Sequence, residues 1–194
     1  MSLLEDLLIM VGVLLDVFAT MEIQGAMIAH IRKKTLFIAC GVVAAIELFF
    51  YFAGYFICWF AAKSGYIADP FKNGEAVAVI VLAILGIRLI VKAIKHEFVQ
   101  ERLKDSLRVW DYVKVIAVSG FYTAAAGCVC ALVGITVWHL IVIIVVISVL
   151  MVIMGLYTGL HFGFENKTIA YVIGAFLLWG VSIEILLHSV LEII

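Results

Sequence analysis

Residues 35–62 read TLFIACGVVAAIELFFYFAGYFICWFAA, an apolar run interrupted by a single charge, Glu47. A helix rises about 1.5 Å per residue. Twelve residues on one side and fifteen on the other therefore hold Glu47 roughly 18 Å or more from either end of the run. A bilayer core is about 30 Å thick, so this carboxylate belongs near its centre. Asp16 sits similarly in the first apolar run, where Leu7 to Met21 contains no other charge. An ionisable group at that depth costs about 2.5 to 3.5 kcal/mol on insertion scales, so two such acids point to function rather than to packing.

Working outward, five more stretches are long and apolar enough to cross. The six spans expected are about Leu4 to Ala29, Thr35 to Ala62, Ala76 to Ile94, Tyr112 to Val133, Val137 to Leu160 and Ile169 to Leu191. The fold class is therefore all-α, a polytopic membrane protein whose spans leave no room for a second domain in 194 residues. The apolar fraction of 66% agrees, against about 45 to 50% for a soluble chain. No nucleotide loop, HExxH or GxSxG is present, so an enzyme is not expected, nor is a cofactor. The basic residues lie in short loops and argue for no nucleic-acid partner. The first run opens with Glu5 and Asp6 and carries its own buried acid, unlike a cleavable signal. Cys40, Cys58, Cys128 and Cys130 all fall inside apolar runs without a CxxC and read as small packing residues.

Orientation follows the basic residues. With the N-terminus outside, the inner loops and span ends hold Arg32, Lys33, Lys34, Lys92, Lys95, Arg102, Lys104, Arg108, Lys114 and Lys167, against Lys63 and Lys72 outside. Both termini are then extracytoplasmic. The polar stretch at about 96–111 reads as a cytosolic linker between a first repeat, about 1–95, and a second, about 112–194. Three spans per half is an odd number, so the halves insert in opposite senses, the inverted-repeat plan of many secondary transporters.

Several side chains are candidates for chemistry. Gly12, Asp16 and Thr20 share one face of the first span at i, i+4, i+8, and Glu47, Tyr51 and Gly54 share one face of the second. If those faces meet, carboxylates and hydroxyls form an oxygen-rich site of the kind that suits Mg²⁺, Ca²⁺ or Mn²⁺. The plainer alternative is a pair of acids hydrogen-bonded to fix packing. Glu22 lies about 120° around the helix from Asp16, facing an inner vestibule or serving as an interfacial charge. Lys92 reads as snorkelling to the interface, while the deeper Arg88 would neutralise Glu47 or Asp16 in the empty state. Ser119 and Thr123 on the fourth span read chiefly as packing groups and secondarily as weak ligands. Gly155 and Gly159 form a GxxxG pair for helix contact, which leaves a homodimer open. Gly180, Glu184 and His188 lie on one face of the sixth span, as a proton relay or an interfacial ion pair.

The first span, Gly12 through Asp16 and Phe18 to Ala19, resembles the Ser-Met-Asp-Ala-Phe-Ala segment of the MntP family of manganese efflux pumps. Glu47 to Gly54 resembles that family's Glu-x6-Gly stretch, and Leu85-Gly86-Ile87-Arg88-Leu89-Ile90 its Leu-Gly-Gly-Arg-Met-Ile motif. Gly155, Gly159, Gly174 and Gly180 fall where that family also has glycines. Two positions depart from it. Leu14 stands in place of the first-span serine, and Phe121 stands where the fourth-span Ser-x-Asp-Ala motif has its aspartate, within Ser119-Gly120-Phe121-Tyr122-Thr123-Ala124.

The resemblance implies a six-span bacterial inner-membrane exporter of Mn²⁺ in which Asp16, Glu47 and Arg88 match charged intramembrane positions. With one acid missing, the ion site would be completed by Glu22, Ser119, Thr123 or Glu184. The resulting expectation is a divalent-cation efflux transporter in which Asp16, Glu47 and Thr20 hold the metal and protonation on release couples export to proton entry. The alternatives are an exporter of another small solute, such as an amino acid, and a non-transporting membrane accessory protein.

Overall fold

In the computed structural model, residues 3–28, 32–63, 70–94, 109–133, 137–163 and 166–191 are described. They form six helices: α1 (Leu3–Ala26), α2 (Lys33–Lys63), α3 (Pro70–Ile94), α4 (Val109–Val133), α5 (Val137–Phe162) and α6 (Asn166–Leu191). All six are long and apolar enough to cross a membrane, and the protein is a multi-pass, all-α membrane protein. Most of the linker expected over about 96–111 lies outside the described residues, as do the side chains of Trp110, Trp138 and His188.

Helix ends follow local chemistry. The only proline of the chain, Pro70, occupies the first position of α3, where a missing N–H costs nothing because that group has no intrahelical partner. α5 stops at Gly163, whose φ of 73° is the left-handed conformation that a side chain would strain. Its N–H donates to the Gly159 carbonyl at 3.0 Å and closes the last turn.

α1 is the most buried helix and α4 the next. α1 packs against α5 and α6, α2 against α4 and α5, and α3 against α6 and α4, while α1 and α4 also touch. Exchanging α1 with α4, α2 with α5 and α3 with α6 maps this set of packed pairs onto itself. The closest approaches use glycine in both counterpart pairs. On α5, a Cβ at Gly155 would lie 2.6 Å from the Phe18 carbonyl oxygen of α1, and one at Gly159 would overlap the Glu22 carbonyl. Between α2 and α4, a Cβ at Gly54 would overlap the Ala124 carbonyl, and one at Gly127 the Tyr51 carbonyl. The GxxxG pair of the fifth span is thus occupied within the monomer, which removes the glycine face as a ground for a homodimer. Outward lie large apolar side chains such as Phe37, Phe60, Ile84, Val142 and Phe176, the surface that lipid tails require.

Candidate functional site

Among the described residues α1 and α2 make at most marginal contact. The expected meeting of their acidic faces is replaced by a bridge: α4 lies between them and offers a hydroxyl to each. Ser119 Oγ donates to Asp16 Oδ2 at 2.6 Å, and Thr123 Oγ1 donates to Glu47 Oε2. Ser119 and Thr123 are one helical turn apart on the same face of α4, so the positions that bond the two carboxylates are about 6 Å apart along it. Asp16 is 1% exposed and Glu47 0%, which places both beyond the reach of bulk water.

Their surroundings differ. Lys92 of α3 reaches Asp16 with Nζ 2.7 Å from Oδ1 and 2.9 Å from Oδ2. Both carboxylate oxygens of Asp16 are therefore engaged by positively polarised hydrogens. This is the reverse of the snorkelling expected for Lys92, and helix geometry explains it. Side chains lean toward the N-terminus of their helix, and on α3 that direction carries the ammonium from the helix end back toward midspan. Among the described residues Arg88 pairs with no carboxylate. Its guanidinium carbon lies 4.2 Å from the ring centroid of Tyr122, over which Lys92 Nζ also sits at 4.9 Å. Tyr122 is a cation–π platform for both, and sequence reading overlooked it. The signal was its place in the stripe Ser119, Tyr122, Thr123, Ala126, at i, i+3, i+4, i+7 of a helix that is otherwise apolar there.

Two buried polar atoms in this region have no hydrogen-bond partner: Glu47 Oε1 and the Tyr122 hydroxyl. Orphaned oxygens in a dry interior are uncommon and call for a cause. A cation bridging the two acids would supply one, with hard oxygen donors of the class that holds Mn²⁺ or Mg²⁺. Among the described residues no three His, Cys, Asp or Glu side chains cluster, so carboxylates and hydroxyls are the donors available.

The remaining candidates lie elsewhere. Thr20 is one turn beyond Asp16 on α1, lines a cavity and bonds neither carboxylate. Glu22 is fully buried, and its Oε1 accepts from the backbone N–H of Asn166 at 3.1 Å. It caps the first residue of α6 at the positive end of that helix's dipole. Glu184 is exposed on α6 beside Ile183, Leu186 and Leu187. Phe121 is 66% exposed and packs against Phe50 in a tilted pair with centroids 5.2 Å apart. An acid at 121 would thus point away from the site, and the fourth-span residues that meet Asp16 or its surroundings are Ser119 and Tyr122.

Two cavities lie on this side of the bundle, and Asp16 lines the smaller. A small one, about 10 Å³ and sufficient for a single water, is lined by Asp16, Arg88, Lys92 and Tyr122. A larger one of about 580 Å³ lies beyond Arg88 and Lys92, which line both. Its walls are the last turns of α1 and α3 and the first turns of α4 and α6, so it belongs to one end of the bundle, here named the basic end.

The family model described as "Mntp: Putative manganese efflux pump" matches residues 30–186, from just before α2 into α6. A relative from Clostridium perfringens (strain 13 / Type A), named "Putative manganese efflux pump MntP", is 24% identical over 214 residues, covering 97% of this chain and 95% of that protein. No solved structure matches. With six spans, intramembrane carboxylates and a family match over most of its length, the chain belongs to the MntP family of manganese efflux pumps.

Proposed function

We propose that this protein exports a divalent cation, Mn²⁺ first among them, through the two carboxylates strung along α4. The observation that carries the reading is the contrast within that pair: Asp16 is neutralised by a tethered ammonium, and Glu47 keeps an oxygen with no partner. In the empty state Lys92 takes the position of the cargo's charge on Asp16, and Glu47 carries a proton. The arriving ion displaces the ammonium from Asp16 and the proton from Glu47, so that two carboxylates face one divalent cation. Each arrangement is electrically balanced where solvent cannot screen it. Release outside returns Lys92 to Asp16 and a proton to Glu47, so that one proton moves inward for each ion moved outward.

Alternating access follows from the first repeat, about 1–95, rocking against the second, about 112–194, as an inverted pair. The self-mapping set of helix contacts supports that division. The basic end is cytosolic by its excess of lysine and arginine, so the structure stands open inward, with both termini outside a bacterial inner membrane. The test is manganese tolerance conferred on a sensitive host. Asp16→Asn and Glu47→Gln each abolish it on this reading, and full tolerance in both variants would refute it. Efflux from vesicles given Mn²⁺, Cd²⁺ and a panel of amino acids separates metal export from export of an organic solute.

A further inference from the structure

Among the described residues the 580 Å³ cavity at the basic end is lined by four cations, Arg88, Lys92, Lys114 and Lys167, and by no acid. Thr20 and Tyr171 add polar atoms to the same wall. The charge is not simply the loop bias of a membrane protein. Arg88 lies six residues before the end of α3, about 9 Å inside the span, and the four side chains converge from three helices on one space. Lys92 is matched by Asp16, and the charge of Lys167 acts on Glu22. Among the described residues, Arg88 and Lys114 have no carboxylate within ion-pair distance. The lining therefore holds an excess of positive charge in a concave space, where field lines are focused. Its volume falls in the range of about 300 to 1,000 Å³ typical of small-ligand sites.

We propose that this cavity binds a phosphate-class oxyanion, with Arg88 and Lys114 as its principal partners. The guanidinium of Arg88, braced on the Tyr122 ring, presents the planar fork that suits two oxygens of one phosphate. Lys114 supplies a point charge from α4. Bound there, the anion offsets the positive field that a divalent cation meets between the basic end and Asp16. The inference stands on the cavity and its charges and does not rest on the cargo being a metal.

The anion has two possible sources, a free solute or a lipid headgroup, and the experiment separates them. The purified full-length chain, stripped of phospholipid in detergent, is titrated with radiolabelled inorganic phosphate and with pyrophosphate at an ionic strength fixed by chloride. In parallel, thermal unfolding is followed in nanodiscs of phosphatidylcholine with and without phosphatidylglycerol. Saturable binding of phosphate or pyrophosphate, about tenfold or more weaker in Lys114→Gln as expected for one lost charge-assisted hydrogen bond and retained in Lys114→Arg, assigns a free anion. A rise in melting temperature produced by phosphatidylglycerol alone, lost in Lys114→Gln and kept in Lys114→Arg, assigns the headgroup. The proposal is overturned if neither probe acts on the wild type, or if Lys114→Gln matches the wild type with both. Manganese export is not among the readouts, so a failure of the export reading leaves this result independent.

Discussion

The surroundings of Asp16 and Glu47 differ more than their positions do. Each is a carboxylate near midspan, fully buried and bonded to a hydroxyl of α4. Asp16 faces α3 and the small cavity beside it, and there it has acquired a lysine. Glu47 comes from α2, which lines neither cavity, and has acquired nothing beyond Thr123. The difference teaches that burial alone does not decide what an intramembrane acid does. A carboxylate with a fixed counter-ion contributes to the fold as well as to the site, whereas one with an open coordination position contributes mainly to whatever fills it.

The largest effect expected from this contrast is on stability. Lys92→Met leaves Asp16 buried without its ammonium, and loss of one partner of a buried pair costs about 3 to 5 kcal/mol. Because Lys92 is 29% exposed on the cavity side, the lower figure, about 3 kcal/mol, is expected from denaturant or thermal unfolding in detergent. Adding Asp16→Asn to Lys92→Met restores most of it. Glu47→Gln keeps an acceptor for Thr123 and shifts stability by less than about 1 kcal/mol, although transport is lost. If Glu47→Gln destabilises as strongly as Lys92→Met, the two acids do not differ as described.

Next in size is the packing that sets each acid against its neighbour. Gly159→Ala drives a methyl into the α1 backbone at Glu22, and overpacking of this kind costs about 1 to 3 kcal/mol. Gly180→Ala, whose Cβ meets nothing within 4 Å, is neutral or slightly stabilising in the same unfolding assay. Smaller still is the comparison of hydroxyls. Ser119→Ala removes one of the hydrogen bonds to Asp16 but leaves Lys92, at a cost of about 1 kcal/mol. Thr123→Val strips Glu47 of its described partner and should raise the Mn²⁺ concentration for half-maximal efflux more than Ser119→Ala does. Equal shifts in the two variants would mean that Lys92 provides no protection to Asp16.

What was legible in the sequence divides along physical lines. Six helices were readable because a bilayer forces long apolar runs with satisfied backbones, and the two deep acids because charge is rare and costly there. Helix adjacency was not readable. Asp16 and Glu47 seemed to require that α1 touch α2, whereas α4 intervenes, and nothing in the 3.6-residue period of one helix specifies which neighbour its face meets. Lys92 was misjudged for a related reason. Its distance from the helix end favours the interface, but the direction in which its side chain leans, and the acid waiting on α1, decide the matter. Glu22 could be placed on its face of α1, but that it caps the start of α6 depends on two helices distant in sequence.

The smallest expected effect bears on the position at which the chain departs from its family's aspartate motif. Read from the motif resemblance alone, Phe121 replaces a ligand, and restoring an acid there should strengthen the proposed metal site. Read from the fold, position 121 looks outward, with Phe50 beside it and two-thirds of the ring exposed. Phe121→Leu should therefore leave stability within about 0.5 kcal/mol and manganese tolerance unchanged. Phe121→Asp should lower the yield of folded protein, because a carboxylate on a lipid-facing surface has no partner, without any gain in tolerance. Tyr122→Asp places the acid on the stripe that carries Ser119 and Thr123, where it removes the platform under Arg88 and Lys92 and adds an oxygen anion beside Asp16. If Phe121→Asp, rather than Tyr122→Asp, changes the concentration of Mn²⁺ at which efflux is half-maximal, α4 is rotated from the orientation that brings Ser119 to Asp16 and Thr123 to Glu47, and the contrast between the two acids goes with it.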